Sequence, residues 1–334
     1  MLHERGPVVP APPGKDRPVR AIRASWKALL GSLITLLVMS VVPAHAQLNT
    51  QHIKGTTGLK AGSLPPPHVY IPTLYYVYRT DTVKDRNGDA LPLAANLTSH
   101  AYGLGIFVVT PRKLLGADYA YEILFPVGAN NRIQGTEIDK NPGAGLTDSV
   151  ISPIQLGWHL KRADAIAGYS LFVPTGRYED GATNNTGLGM WGNEFSLGTT
   201  VYLNEAKQYH AATVLTFDVQ SKKKDSETKV GNALNLEGGV GGDFLKGGLT
   251  VGLNYYASFK VSDDHIEGFP DILIRGKNKV FALGPEVDLA LAKGGTLYGF
   301  LKVNYQWETY ARVAPQGSEL TVMATFLVKP IKLP

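Results

Sequence analysis

The chain has 334 residues, of which 44% are hydrophobic and 37 are glycine, with a formal net charge of +5 and no cysteine. That hydrophobic share fits a folded chain, and the lack of cysteine excludes disulfides, zinc–thiolate sites, iron–sulfur clusters and cysteine nucleophiles. The basicity belongs to the first 46 residues; beyond them 27 Lys/Arg face 26 Asp/Glu, a net of +1, which gives no electrostatic footprint for nucleic acid.

In chain order, Arg20, Arg23 and Lys27 precede the apolar run Ala28–Val42, and "AHA" follows at Ala44–Ala46. A basic region, a short apolar core and a small-x-small site read as a secretory signal peptide cleaved near Ala46. About 15 apolar residues are few for a membrane-spanning helix. Next comes a Gly/Pro-rich segment, residues 47–68. It contains Gly55, Gly58 and Gly62 and the run Pro65, Pro66, Pro67.

From residue 69 to 329 the pattern has period two. Twelve strands are expected: Val69–Asp81, Ser99–Thr110, Ala117–Val127, Ser149–Leu160, Ala165–Val173, Trp191–Leu203, Tyr209–Gln220, Ala233–Phe244, Leu249–Val261, Lys279–Leu291, Thr296–Glu308 and Glu319–Lys329. Most exceed the usual five or six residues. The links alternate. "PRKLLG", "KRAD", "NEAKQ", "LKGG" and "AKGG" are short. Thr82–Thr98, Gly128–Asp148, Pro174–Met190, Ser221–Asn232, Ser262–Asn278 and Thr309–Ser318 are long and polar. In an up-and-down meander this puts every short turn at one end and every long loop at the other, as in transmembrane β-barrels. A tilted strand needs about 9–11 residues to cross a bilayer. The expected fold is therefore all-β, a 12-stranded antiparallel up-and-down transmembrane barrel, with residues 330–334 as a short tail.

In such a barrel the apolar face meets lipid and the polar face lines the lumen. Leu253 is on the first face and Asn254 on the second. Tyr119, Tyr121, Ile123, Phe125 and Val127 face out where Asp118 and Glu122 face in. Parity is less clean in Ser99–Thr110 and Ala233–Phe244, where glycines hide it. The expected pore-lining residues are Glu122, Gln155, His159, Glu194, Asp218, Glu237, Lys260, Glu286, Asp288, Lys302 and Glu308. Both signs occur, so parity assigns no ion selectivity.

Three stretches carry a family resemblance: "GLKAGSLPPPHVY" (Gly58–Tyr70), "DSVISPIQLGW" (Asp148–Trp158) and "VPTGRYEDGATNNTGLGMWGNEFSLGTTVYL" (Val173–Leu203). Together they resemble the outer-membrane channels of the MetA-pathway-of-phenol-degradation, or SphA-like, family, over about His52 to Lys329. His68 stands where the family usually has Gly, and Gly189 where it has Asn. The resemblance implies a twelve-stranded barrel whose N-terminal segment folds into the lumen, and uptake of small, poorly polar or aromatic molecules.

The residues alone leave that segment open between a free tail and a plug. A twelve-stranded lumen can admit an extended peptide. The three glycines allow close backbone approach, and the prolines stiffen the entry to the first strand. The expectation is that Gln51–Leu64 folds back and constricts the pore. The histidines His52, His68, His100, His159, His210 and His265 are scattered. None has a G-x-S-x-G or H-E-x-x-H context. The expectation is therefore a channel, not an enzyme, with no cofactor and no metal. The alternatives are a lipid or ester hydrolase on a barrel, or a closed structural or receptor-like barrel. Expected partners are outer-membrane lipid and lipopolysaccharide, a small-molecule substrate and the barrel-assembly machinery. The barrel is expected to be monomeric. Phe326 is the last aromatic, so the C-terminal recognition signal departs from the usual terminal aromatic.

Overall fold

The computed structural model describes residues 50–92, 95–135, 139–268 and 277–332. The expected signal peptide, residues 1–46, and part of the 262–278 loop lie outside the described residues. In chain order the strands are β1 (His68–Lys84), β2 (Ala95–Leu114), β3 (Ala117–Gly135), the two-residue β4 (Asp139–Lys140) and β5 (Gly145–Leu146), β6 (Ser149–His159), β7 (Ala163–Val173), β8 (Gly192–Tyr202), β9 (Tyr209–Gln220), β10 (Ala233–Phe244), β11 (Leu249–Lys260), β12 (Lys279–Lys293), β13 (Thr296–Arg312) and β14 (Ala314–Lys332). Each long strand pairs antiparallel with its chain neighbours, and β1 pairs with β14. The result is a closed barrel of twelve strands, with β4 and β5 as side pairings on β3. Closure leaves no edge of unpaired backbone groups, which a hydrocarbon environment would penalise heavily.

The faces are inverted relative to a water-soluble protein. Leu104, Ile106, Phe125, Phe195, Leu197, Val240, Leu253 and Trp307 are exposed on the outside. Inside, Glu286, Gln306, Asn304, Thr321 and Asp218 are buried. Leu253 is 55% exposed and the next residue, Asn254, 1%. Asn254 faces the lumen but is buried there, its side-chain amide donating to Glu286, which also accepts from the Leu59 amide of the N-terminal segment.

Two-residue turns close the short end where glycine supplies the left-handed conformation, as at Gly294 and Gly295 (φ +58° and +72°). The long-loop end differs from expectation at several places: β1 runs on to Lys84, β2 starts at Ala95, β3 runs on to Gly135 with β4 and β5 in the expected Gly128–Asp148 loop, and the largest change is at the last loop. Thr309–Ser318 is not a loop: β13 runs to Arg312, β14 starts at Ala314, and only Val313 links them. The reason lies in the ladder. Thr82–Lys84 of β1 continue past the expected strand end and pair with Ala314–Gln316. At the other terminus β14 runs through Lys332, three residues past the expected end.

Candidate functional site in the barrel lumen

Residues 51–64 make hydrogen bonds to inward side chains along the whole barrel height. At the long-loop end Gln51 Nε2 donates to Asp148 Oδ2 (3.1 Å) and to the Met190 carbonyl (2.7 Å). His52 sits between two carboxylates, Nδ1 to Glu194 Oε2 at 2.6 Å and Nε2 to Glu237 Oε1 at 2.9 Å. Glu237 also accepts from the Gly55 amide (2.9 Å) and from Thr57. Near mid-height Asn304 Nδ2 donates to the Gly55 carbonyl (3.0 Å). Glu286 accepts from the Leu59 amide and from Asn254 Nδ2, both at 2.8 Å, with Lys302 Nζ 3.9 Å away. Lower down, Lys60 Nζ meets Asp243 Oδ2 at 2.6 Å, and the Gly62 amide donates to Thr200 Oγ1 at 3.1 Å.

Side-chain size decides how closely the segment sits. Leu59 is fully buried, and Cβ atoms built at Gly239, Gly241 and Gly252 would fall 2.7 to 2.9 Å from its methyl carbons. The glycines that hide the parity of β10 thus form a socket for Leu59. A Cβ at Gly62 would overlap the Thr199 backbone. At Gly58 it would meet the ends of the Lys302 and Glu286 side chains, and at Gly55 (φ +72°) those of Glu319 and Gln306. Near the short-turn end Leu64 packs in an apolar cluster with Tyr70, Val109, Ala120 and Leu327. The Tyr70 hydroxyl donates to the Pro66 carbonyl (2.7 Å), which fixes the proline step.

Beside the segment lies a cavity of about 700 Å³. Among the sequence-derived candidates, Glu122, Gln155, Glu194, Lys260 and Glu308 line it. Glu237, Glu286 and Lys302 lie against the segment instead. Asp218 is fully buried in the wall and accepts from Asn235 Nδ2 (3.0 Å), and Asp288 also carries a buried oxygen. His159 is not in the cavity. It lies at the short-turn end, 3.3 Å from Asp118 and 3.2 Å from Asp164. Lys260 is held by Asp264 Oδ2 at 2.8 Å.

Several residues absent from the sequence-derived set shape the same cavity. Tyr78 and Tyr256 donate to Glu308 (2.7 and 2.8 Å), and Tyr76 donates to Glu319 (2.9 Å). The inward parity of Glu319 with Thr321 was the available signal. At the long-loop end Met190, Val230 and Ile266 form a small apolar cluster. The Lys223 ammonium lies 5.2 Å from the Tyr178 ring centre, and burial pushes its pKa down against the pull of Asp180, Asp148 and Asp264. Gly189, where the family pattern has Asn, is left-handed (φ +68°). Gly and Asn tolerate that conformation best, and here a Cβ would fall 2.2 Å from the Tyr178 ring, so packing as well as backbone favours glycine.

No curated protein matches the chain. An outer membrane channel from Pseudomonas putida F1 superposes with a TM-score of 0.68 at 14% identity, covering 83% of this chain and 100% of that one. At that identity the likeness establishes the fold. The β domain of the Bordetella autotransporter BrkA (TM-score 0.38, 14% identity, 78% and 99% coverage) and Pseudomonas aeruginosa OccK8 (0.29, 11%, 81% and 100%) are too distant to carry an argument. The family model described as "Putative MetA-pathway of phenol degradation" matches residues 80–324. The chain, a closed twelve-stranded β-barrel with the fold of that channel, therefore belongs to the putative MetA-pathway of phenol degradation family.

Proposed function

We propose that the protein is a passive channel for small, weakly polar molecules, aromatic ones among them, with residues 51–64 as the constriction. The observation that carries the reading is the cavity of about 700 Å³ beside the segment. Its wall combines apolar Leu124, Val150, Phe172 and Val214 with the hydroxyls of Ser152 and Ser170 and the amide of Gln155. An apolar wall beside hydroxyl and amide groups suits a small aromatic solute, and the carboxylates of Glu122, Glu194, Glu308 and Glu319 with the Lys260 ammonium on the same lining offer it polar contacts. In this reading the long loops face the cell exterior and meet lipopolysaccharide, and the apolar cluster around Leu64 narrows the periplasmic end. The protein works as a monomer and depends on the barrel-assembly machinery for insertion.

Flux into proteoliposomes tests the substrate class. Phenol-sized aromatic alcohols should enter faster than sugars of similar mass. Equal rates for both, or no flux above protein-free vesicles, would count against it. The enzyme alternative would be favoured only by ester or lipid hydrolysis that depends on one serine and one histidine.

A further inference from the structure

Three carboxylates converge on one imidazole at the long-loop end of the lumen. Glu194 on β8 and Asp218 on β9 stand opposite each other in register, and Glu237 follows on β10. His52 enters from the N-terminal segment, with Nδ1 on Glu194 and Nε2 on Glu237. One ligand atom from each of His52, Glu194 and Asp218 lies within 4.8 Å of the others. Asp218 is 0% exposed; Asn235 occupies its Oδ2, while Oδ1 is buried with no hydrogen-bond partner. A buried carboxylate oxygen left without a partner is costly.

The arrangement has the parts of a metal site. A metal-bound histidine almost always gives its second ring nitrogen to a carboxylate, which fixes the tautomer and the ring plane. Glu237 is placed to do that from the Nε2 side, and the Gly55 amide and Thr57 hold Glu237 in turn. One imidazole nitrogen and two carboxylates make a three-ligand set suited to zinc and similar borderline divalent ions. Bonds of about 2 Å place ligand atoms of a tetrahedral site roughly 3.3 Å apart. The 2.6 Å contact between His52 Nδ1 and Glu194 need open only slightly to reach that.

We propose that His52 Nδ1, Glu194 and Asp218 form a divalent-cation site, oriented by Glu237, that ties the N-terminal segment to the β8–β9 wall. The inference rests on the segment being seated in the lumen. Its consequence is a cation-dependent constriction, because a metal that binds only the seated state stabilises it by mass action.

Zinc titration of the tag-free, chelator-stripped full-length protein in detergent, followed by calorimetry, is the test. One site per barrel is expected. Asp218→Asn and Glu194→Gln should each weaken it tenfold or more, and Glu237→Gln by about 10–100-fold. His159→Ala should leave it unchanged. Millimolar magnesium should not compete, since it prefers an octahedral oxygen shell. Heat-modifiability on gels verifies that each variant is a folded barrel. Absence of stoichiometric zinc, or zinc binding indifferent to Asp218→Asn, overturns the site. Deleting residues 51–64 separates the two readings. If the deletion raises conductance but the intact protein binds no zinc, the cation site falls and the constriction stands. If zinc binds in an Asp218-dependent way but the deletion leaves conductance unchanged, the site stands and the constriction falls.

Discussion

Gly62→Ala isolates the fit between the N-terminal segment and the barrel wall. Gly62 has no left-handed conformation to lose, since it is absent from the positive-φ positions. The added methyl therefore acts only through space. It would overlap the Thr199 N, Cα and carbonyl carbon. Thr199 cannot retreat, because β8 is laddered to β7 and β9 on both sides. The segment must lift, and the Gly62 amide then loses Thr200 Oγ1. Overpacking costs about 1–3 kcal/mol and the hydrogen bond about 1 kcal/mol. Together roughly 2–4 kcal/mol shifts the seated-to-displaced ratio by a factor of roughly 30–1000, at about 1.4 kcal/mol per tenfold. Gly58→Ala is the internal comparison. Its methyl meets the ends of Lys302 and Glu286, which can swing aside. Single-channel recording should show longer or larger openings for Gly62→Ala than for Gly58→Ala, with both barrels heat-resistant on gels. Equal behaviour of the two, or of both and the parent, would refute the close-approach argument.

Leu59→Ala empties the glycine socket of β10 and β11 and should destabilise seating by about 2–5 kcal/mol, read as increased protease access to the segment in a folded barrel. Leu253→Arg puts a charge on the lipid face and should cost about 2–4 kcal/mol of barrel stability. Gln155→Arg, on the cavity side, should cost much less in the same urea titration; similar losses would mean that the faces are misassigned. An epitope in Ser221–Asn232 should be reached by antibody on intact cells and one at Gly247 should not; the reverse pattern would invert the barrel.

The barrel was legible because alternation survives in nearly every strand. Tyr209–Gln220 and Ala233–Phe244 have the same bounds in sequence and structure. Loop length misled at Thr309–Ser318, whose polar, Gly/Pro-containing run looks like a loop but finds a partner in β1, over two hundred residues away. Glycine hid the parity of β10 for a physical reason. Gly239 and Gly241 are the inward residues, and they are small so that Leu59 can enter. Inward charges could be read from parity, but their grouping could not. His52, Glu194, Asp218 and Glu237 come from one segment and three strands, so no local spacing announces them. The same holds for Asn254, whose polarity marks the lumen side but not the Glu286 carboxylate it donates to.

Planar-bilayer recording of a variant lacking residues 51–64, with residues 1–50 and Pro65 onward retained, tests the constriction most directly. A folded barrel with higher conductance and weaker discrimination between aromatic and sugar solutes is expected, because the backbone that fills one side of the lumen from Asp148 to Thr200 is gone. Unchanged conductance and unchanged solute preference would contradict it, and would move selectivity to the wall or the long loops.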